Sequence, residues 1–568
     1  MMSFAPILRL LAAILSGLGM AALFPPYSVG KLVWVTVIPL LAALWTLGDR
    51  RRKWKAFGLG FLAGICYFLP NLAWLRSVTD AGWVALSFYL SVFPALWALF
   101  AATAGNPWRS GRQEGFLHSP RHAFTCAAVW VGLEWVRGWL FTGFGWNVIG
   151  VAFHETPVFA QSADLFGVVG LSFLPIFVQG VLLQVCVRRV SQYHSAVARR
   201  QVALGTVVLV LGAAYGYGVW RITTARQGES LRLRALLVQL NIPQEAAQQL
   251  WSATDIHLGY EEETLAALEE AGAERPDWIV WPETALTGRI LRTHDGRWGM
   301  WAENVETIDR IRAEGPYTLI MGLNEVEAEA DGDTLMMKPR AKVWNTLAIL
   351  PPDGSLEGFR KRHLVIFGEY IPLVETLPFL KKIYEQQAGV EYGGAFSAGE
   401  SLEPLATEIR GERVGVIPSV CFEDTVPRLL RMFVRPGPQL ILNVTNDGWF
   451  KQTPGAAQHF ANARFRAIEL RRPMLRCANT GVTAAITSTG TTLHPDGGKP
   501  QELRDARGSH FTRGTLTTEV EIPKNPPVTL YALIGDWGVI LMGLAGLAVG
   551  ITKRKPEVDA EEETDVES

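Results

Sequence analysis

The sequence has little of what marks several large classes of protein. Its 568 residues include five cysteines and carry a formal net charge of −1. A charge this close to zero argues against nucleic-acid binding, which uses a basic surface. No CxxC pair or Cys/His cluster has the spacing of metal ligands, so we expect no zinc ion and no other cofactor. We also find no internal repeat.

Charged residues are scarce in one half of the chain, where long apolar runs take their place. Residues 1–225 are dominated by these runs, whereas residues 230–525 have the composition of a soluble α/β domain. A helix needs about 20 apolar residues to cross the hydrocarbon core of a bilayer. The chain therefore predicts a membrane bundle of eight transmembrane helices, seven before the α/β domain and one after it: 5–24, 31–48, 57–76, 84–104, 123–141, 161–187, 203–221 and 530–551.

Basic residues alternate between the loops that join these spans. If the N-terminus is cytoplasmic, the inner segments are 49–56, 105–122, 188–202 and the tail after residue 551, and they contain fifteen Lys and Arg residues. The opposite loops, 25–30, 77–83 and 142–160, contain none. The positive-inside rule then predicts cytoplasmic termini and an outer location for residues 230–525. Residues 552–568, rich in Glu and Asp, predict a disordered cytoplasmic tail.

The outer segment alternates strand-like and helix-like patterns. Apolar, β-rich runs occur at 233–240, 277–281, 317–322, 343–350, 413–418 and 439–444, and helical patterns at 255–271 and 302–314. This alternation is typical of an α/β domain. Residues 324–341, which are rich in Glu, Ala and Asp, predict a solvated loop within it.

Three short motifs in this domain hold residues suited to chemistry: Trp-Pro-Glu at 281–283, the segment 361–369 and Val-Cys-Phe-Glu-Asp at 420–424. A cysteine nucleophile needs a base to take its proton, and the carbonyl that it attacks needs a fixed cation for its oxyanion. Glu283, Lys361 and Cys421 supply these three groups. Each also has an ordinary structural interpretation: a turn carboxylate, one member of a solvated basic patch, and half of a Cys421–Cys477 disulfide. The strand before Cys421 favours a reactive thiol there and a buried thiol at Cys477.

The order and neighbours of these motifs resemble the nitrilase, or carbon–nitrogen hydrolase, superfamily. The resemblance implies a four-layer α-β-β-α sandwich and a Glu-Lys-Cys triad, with Glu283 as general base, Lys361 as oxyanion-stabilising cation and Cys421 as nucleophile. It implies supporting roles for Glu369 and Glu423. Trp251, Phe422 and Trp449 are the candidate substrate-binding residues.

Almost the whole chain, from the first span to Ile551, further resembles the apolipoprotein N-acyltransferase family of the bacterial inner membrane. The resemblance is carried by Glu134 to Trp139, Gly143 to Trp146, Lys361 to Pro372 and Cys421 to Glu423. It implies a monomeric enzyme with its catalytic domain on the periplasmic face. Such an enzyme transfers an acyl chain from a phospholipid, through a cysteine thioester, to the α-amine of a diacylglyceryl-cysteine apolipoprotein. Phe422 departs from the pattern, because a tyrosine is often found there, and the loop after Pro243 is longer than usual.

Two other functions remain open from the sequence. A membrane-tethered amidohydrolase would use the same three residues with water as acceptor, and a transporter or receptor would carry an inactive nitrilase-like domain. Within the fifth span, Glu134 and Arg137 are three residues apart on one helix face, which favours a buried ion pair over a lipid-headgroup contact.

Overall fold

The computed structural model describes residues 6–109, 115–187, 193–245, 248–249, 251–372, 374, 376–377, 379–388, 394–494 and 497–552. The predicted acidic tail therefore lies outside the described residues from position 553 onward. Six of the fifteen basic residues counted above also lie outside them: Arg112, Arg188, Arg189, Lys553, Arg554 and Lys555.

The N-terminal half is helical. Its described α-helices are α1 (Pro6–Ala21), α2 (Ile38–Trp45), α3 (Arg52–Asn71), α4 (Asp80–Ala102), α5 (His118–Arg137), α6 (Pro157–Ala160), α7 (Ala163–Leu171), α8 (Phe173–Val187) and α9 (Tyr193–Thr224). Helices α3 and α4 pack along each other, as do α1 and α3, and α5 and α8. A large apolar cluster that includes Trp97, Phe24 and Tyr67 fills the space between them.

Helices occupy all eight predicted membrane ranges, but few meet both the length and the apolarity of a spanning helix. Among the described residues two do, Asp80–Arg109 and Val197–Thr224, and a third span results if the pair Ala163–Leu171 and Phe173–Cys186, bent by 59°, is counted as one. Helix α2 has eight residues and is about 12 Å long. The structure thus supports an apolar helical bundle, and the number eight stays a prediction.

The C-terminal half contains sixteen described strands. They are β1 (Ser230–Gln239), β2 (Gln244–Glu245), β3 (Gln248–Gln249), β4 (Trp278–Val280), β5 (Arg289–Arg292), β6 (Trp298–Met300), β7 (Thr318–Asp331), β8 (Thr334–Met337), β9 (Val343–Leu350), β10 (Glu357–Arg360), β11 (Leu405–Ile409), β12 (Glu412–Val420), β13 (Gln439–Thr445), β14 (Met474–Ala478), β15 (Ala484–Ile486) and β16 (Gly514–Pro523). The helices are α10 (Ala253–Ala271), α11 (Ala302–Arg312), α12 (Phe379–Ala388), α13 (Pro427–Leu430), α14 (Gly455–Leu470), α15 (Leu530–Ile534) and α16 (Trp537–Ile551).

These strands form two main sheets that stack face to face. The first has the order β10-β9-β7-β4-β1-β16 with β5, β6 and β8 beside this path, and the second has the order β11-β12-β13-β14-β15. Strands β1, β4 and β7 run parallel in the first sheet, and β12, β13 and β14 in the second. One apolar cluster lies between the sheets and includes Leu237 and Val280 of the first with Val416 and Ile441 of the second. The predicted α/β domain is confirmed.

Helices cover the outer faces of both sheets, which gives the layer order helix, sheet, sheet, helix. A second apolar cluster joins the first sheet to α10 and α11 through residues such as Ile256 and Ile308. Helix α14 covers the second sheet. The four-layer arrangement follows from strands that are buried on both faces, since each sheet must be covered on two sides.

The predicted loop at 324–341 is wrong. Strand β7 continues to Asp331 and returns as β8, and the same stretch pairs with β5 and with β9. The acidic composition suggested a loop, but Val326 and Ala328 alternate with polar residues and are buried. The partner strands that make this extension stable are distant in sequence.

Helix α14 belongs to two cores at once. Phe460, Ala463 and Ala467 pack on the second sheet, in the same apolar cluster that continues between the sheets, whereas Phe465 and Ile468 pack into the cluster of the helical half. Helical geometry places these two sets on different faces. The C-terminal half, referred to below as the catalytic half, and the helical half are therefore joined by a continuous packed layer.

Polar contacts fix the same junction. The side-chain oxygen of Gln458 accepts hydrogen bonds from the indole nitrogens of Trp74, at 3.1 Å, and Trp146, at 2.8 Å. Its amide nitrogen donates to the carbonyl oxygens of Pro25 and Asn71. Because Gln458 is 1% exposed, these bonds are shielded from water and hold one relative position of the two halves.

Candidate active site

Cys421 lies where β12 ends. Its φ is +53°, in the left-handed region that costs a residue other than glycine about 1–3 kcal/mol. A single turn of 3-10 helix, Cys421–Thr425, follows at once. This sharp turn leaves the side chain half-buried at the end of a strand that has neighbours on both sides, β11 and β13. The motifs that contain Glu283 and Lys361 belong to the first sheet, and both lie close to this turn.

Glu283 follows β4, one strand of the first sheet, and is 7% exposed. The chain there passes very close to β7: a Cβ atom on Gly322 would lie 2.5 Å from the Cα atom of Glu283. The side-chain nitrogen of Asn345, on β9, donates to Oε1 of Glu283 at 2.7 Å. The backbone of Glu283 is thus packed against β7, and its carboxylate is held by β9.

Lys361 follows β10 and is 1% exposed. Its Nζ atom lies 2.9 Å from each carboxylate oxygen of Glu369 and 3.9 Å from Oε1 of Glu283. The alternative interpretation of Lys361, one member of a solvated basic patch, is therefore excluded, because the side chain is buried. Its neighbour Arg360 pairs with buried Glu325 at 2.5 Å, and this guanidinium lies 3.7 Å from the centre of the Trp344 ring.

The electrostatics of the cluster determine its resting protonation. Burial and the nearby Glu283 carboxylate raise the pKa of Cys421 well above its usual value, although Lys361 opposes this change. Burial also raises the pKa of Glu283, against the effects of Lys361, Asn345 and the Cys421 thiol. For Lys361, burial alone would lower the pKa, but Glu369, Cys421 and Glu283 outweigh it and raise the value. The resting site holds a neutral thiol beside a firmly charged ammonium.

Glu423 connects the two catalytic segments through the backbone. One carboxylate oxygen accepts hydrogen bonds from the backbone nitrogens of Arg362, at 2.8 Å, and His363, at 2.9 Å. The other accepts from the backbone nitrogen of Val420 at 2.9 Å. Burial raises the pKa of Glu423 to about 7, against these hydrogen bonds and Lys361, which lower it. Its contacts hold the lysine segment against the cysteine turn.

Asn345 is one site residue that the sequence analysis missed. Its amide donates to Oε1 of Glu283 and also to Oε1 of Glu369, at 3.2 Å, so one side chain orients both carboxylates. The signal available in the sequence was an asparagine inside the apolar run of β9. Glu369 also accepts from the backbone nitrogen of Val365 at 2.8 Å.

A buried charge network behind the nucleophile was also missed. Both ring nitrogens of His459 contact carboxylates, Asp447 at 2.8 Å and Asp424 at 2.7 Å, and Arg476 pairs with the same two residues. All four side chains are fully buried. Burial favours the neutral imidazole, but the two carboxylates raise the pKa of His459 to about 9. The network ties the cysteine turn, through Asp424, to the turn after β13.

Aromatic rings cover the side of Cys421 that faces the helical half. The Phe422 ring lies parallel to the Trp146 ring at an interplanar angle of 2° and a centroid distance of 6.0 Å. Phe144 and His363 also stack on Phe422, and Phe450 packs between Trp74 and His459. Trp146, the last residue of the Gly143 to Trp146 motif, is 1% exposed and belongs to this layer.

The other two candidate substrate-binding residues lie elsewhere. Trp251 is half-buried and packs against the cluster between the first sheet and its helices. Trp449 is half-buried in the turn after β13, and its backbone oxygen accepts a hydrogen bond from Ser77 at 3.0 Å. Of the three predicted binding residues, Phe422 is the one beside Cys421 and on the wall of a cavity.

Glu134 and Arg137 are both buried but do not form the expected hydrogen-bonded ion pair. Oε1 of Glu134 accepts from the backbone nitrogen of Ile149 at 2.9 Å. No described residue accepts a hydrogen bond from the side-chain nitrogens of Arg137, and its guanidinium lies 5.3 Å from the centre of the Phe68 ring. Aromatic packing replaces the predicted contact.

Cys421 and Cys477 are both free thiols, so the disulfide alternative is excluded. Cys477 is fully buried and donates to backbone oxygens of β1 and β4. A thiol next to a base and a fixed cation can form a covalent acyl intermediate. The site chemistry is therefore that of acyl transfer or hydrolysis at a carbonyl carbon.

Comparison with known proteins covers both halves. Residues 16–181 match the family model of the apolipoprotein N-acyltransferase N-terminal domain, and residues 235–519 match that of carbon-nitrogen hydrolases. The chain is 33% identical to an apolipoprotein N-acyltransferase of Geobacter metallireducens over 88% of this chain and 90% of that protein. Enzymes of the same name from Rhizobium rhizogenes and Brucella suis are 32% and 31% identical, each over 85% of this chain and 86% of theirs. These matches span both halves at once, and the chain belongs to the apolipoprotein N-acyltransferase family.

Proposed function

We propose that this enzyme transfers an acyl chain from a phospholipid to the N-terminal α-amine of a diacylglyceryl-cysteine apolipoprotein, through a thioester on Cys421. The observation that carries the proposal is the meeting of Cys421, Glu283 and Lys361 in one shielded cluster, directly beside the packed junction with the apolar helical half. A lipid ester carbonyl lies near the headgroup plane of the bilayer. A nucleophile that attacks it must therefore lie next to the membrane-embedded part of the protein, as Cys421 does beside this junction.

In the first half-reaction, Glu283 takes the Cys421 proton as the sulfur attacks the ester carbonyl carbon. Because the pKa of the thiol is raised in the resting site, proton transfer must accompany the attack. Lys361 stabilises the oxyanion. The ester C–O bond then breaks, Glu283 returns the proton to the departing lysophospholipid oxygen, and the acyl chain remains on sulfur.

In the second half-reaction, the α-amine attacks the thioester carbonyl and Glu283 takes a proton from the nitrogen. Collapse of the oxyanion breaks the C–S bond, and the sulfur regains a proton from Glu283. The products are an amide and the free thiol. Glu369, Asn345 and Glu423 orient these groups through the contacts described above, and the aromatic layer around Phe422 keeps water from the thioester.

We further propose the membrane arrangement that the basic-residue pattern predicts. Residues 1–225 would form seven spans, residues 530–551 the eighth, and residues 230–525 a periplasmic catalytic domain. Both termini would be cytoplasmic, and the protein would act as a monomer in the inner membrane. The apolar helices of the described bundle support the membrane part of this proposal.

Intact-mass spectrometry of the purified enzyme mixed with phospholipid tests the mechanism. We expect one hydroxylamine-labile acyl adduct on Cys421 and none in a Cys421→Ala variant. The adduct should decay slowly in buffer and quickly when a diacylglyceryl peptide with a free amine is added, whereas an N-acetylated peptide should not speed it. An adduct on another residue contradicts the mechanism, and rapid decay in buffer that the peptide leaves unchanged would identify an amidohydrolase.

A further inference from the structure

A cavity of about 50 Å³ lies where the catalytic half meets the helical half, and Phe422 is one of the residues that line it. Phe422 and His363 line it on the side of the catalytic half, and the C-terminal end of α5, the middle of α7 and the N-terminal end of α16 line it as well. Four glycines line it: Gly138, Gly143, Gly145 and Gly167. Glycine is needed at Gly143 and Gly167, because both have positive φ and a Cβ atom would lie within 3 Å of a neighbour.

Arg428, in α13, presents a partly unsatisfied guanidinium to this cavity. Its Nη1 atom donates to the backbone oxygen of Gly138 at 2.6 Å, and this is the one hydrogen bond that Arg428 makes with described residues. A guanidinium has five N–H donors, so four remain for a ligand. The side chain is half-buried, which removes much of the competing water.

The other charged groups of the cavity already have partners. Asp536 accepts hydrogen bonds from the indole nitrogen of Trp135 at 3.0 Å and from the hydroxyl of Tyr531 at 3.3 Å. Glu469 pairs with Arg466 at 2.9 Å and accepts from the backbone nitrogen of Val168.

His363 stays neutral near neutral pH, because burial, Arg428 and Lys361 lower its pKa to about 4. Of the two arginines that line the cavity, Arg466 is paired with Glu469, whereas Arg428 forms no salt bridge with a described residue. The Asp536 carboxylate acts on Arg428 electrostatically without a hydrogen bond to it.

We propose that Arg428 binds the phosphate of the phospholipid acyl donor, which makes it a specificity-determining residue. The inference rests on the proposed function. A phosphodiester is an anion that a guanidinium recognises with two parallel hydrogen bonds. In a phospholipid the phosphodiester lies a few bonds from the ester under attack. Phe422, which lines the cavity, directly follows Cys421 in the chain. The diacylglyceryl acceptor has no phosphate, so this contact would distinguish the two lipids that use one thiol.

The test compares two acyl donors with identical acyl chains, a phospholipid and a diacylglycerol, in detergent micelles. The rate of acyl-enzyme formation at low donor concentration is followed by intact mass. The wild-type enzyme should prefer the phospholipid. Arg428→Gln should lose about tenfold to a hundredfold with the phospholipid, the worth of hydrogen bonds to a charged group, and change little with the diacylglycerol.

Three further arms make the result specific. Arg431→Gln is the matched control, because Arg431 lies three residues further on and donates to the backbone oxygen of Ala532, away from the cavity; it should keep the wild-type preference. Arg428→Lys should keep part of the preference for the phospholipid, because a lysine ammonium retains the positive charge but not the paired donors of the guanidinium. Deacylation by the diacylglyceryl peptide should be equal in wild type and Arg428→Gln.

An equal loss with both donors, or no loss with either, overturns the inference. Inhibition of the wild type by inorganic phosphate, absent in Arg428→Gln, would assign the site to a free anion and overturn the lipid assignment. If the wild type forms no acyl-enzyme with either donor, the proposed function fails first, which is a different result from a failure of Arg428 alone.

Discussion

Replacing Lys361 with methionine should damage both rate and stability, for separable reasons. The ammonium is 1% exposed, contacts Glu369 at 2.9 Å and lies 3.9 Å from Glu283. Removing one member of a buried ion pair costs about 3–5 kcal/mol of unfolding free energy, because the remaining charge is left unpaired. Removing an oxyanion donor lowers the chemical rate by about 10²–10³.

A second substitution separates the two effects. In Lys361→Met/Glu369→Gln the unpaired carboxylate is gone, so the thermal unfolding temperature should rise back toward the wild-type value. The rate of acyl-enzyme formation, measured by intact mass, should stay as low as in the single variant, because no cation faces the oxyanion.

Arg362→Met is the matched control. Arg362 follows Lys361 directly, and its guanidinium donates to the backbone oxygen of Ser401 near the surface, at 3.2 Å. We expect its rate to stay within about twofold of wild type, as for most surface substitutions. Arg360 is unsuitable, because it pairs with buried Glu325. Recovery of the rate in the double variant, or an equal loss in Arg362→Met, would refute the assignment of Lys361 to the oxyanion.

Three further results are expected. Unfolding temperature should fall as pH rises from about 6.5 to 9, because the folded-state pKa of His459, about 9, exceeds the usual histidine value of about 6.5 and the extra proton is lost across that window; His459→Gln should lack this slope. Asn345→Leu should slow acyl-enzyme formation about tenfold or more by releasing Glu283 and Glu369, and an unchanged rate would show that the amide is dispensable. A cysteine-accessibility scan should label residues 230–525 from the periplasm and both termini from the cytoplasm, and a cytoplasmic catalytic domain would remove the lipoprotein proposal.

The meeting of Glu283, Lys361 and Cys421 could be anticipated because each lies in a short local motif at the end of a strand. Asn345 and His459 could not be anticipated, since their partners come from separate elements: Asn345 on β9 contacts carboxylates that follow β4 and β10. Pairings of this kind are set by sheet order, which a single sequence does not reveal.

Errors in the sequence analysis have a similar origin. The extension of β7 through Asp331 depends on hydrogen bonds from β5, β8 and β9, which the acidic composition of the segment hides. Trp146 follows the fifth predicted span along the chain, and its stacking on Phe422 depends on how the segment after α5 folds. Local composition describes a segment, whereas burial depends on what folds over it.

Helix α14 has a consequence for how substrates reach the thiol. Every residue of this helix except Ala457 and Arg464 is buried, and its two faces are packed into different halves of the molecule. A hinge at this boundary would have to break apolar contacts and the Gln458 hydrogen bonds together. Cys421 therefore keeps a fixed position relative to the helical half. Each lipid in turn has to bring its reacting group to the thiol, because the thiol does not move toward the lipid.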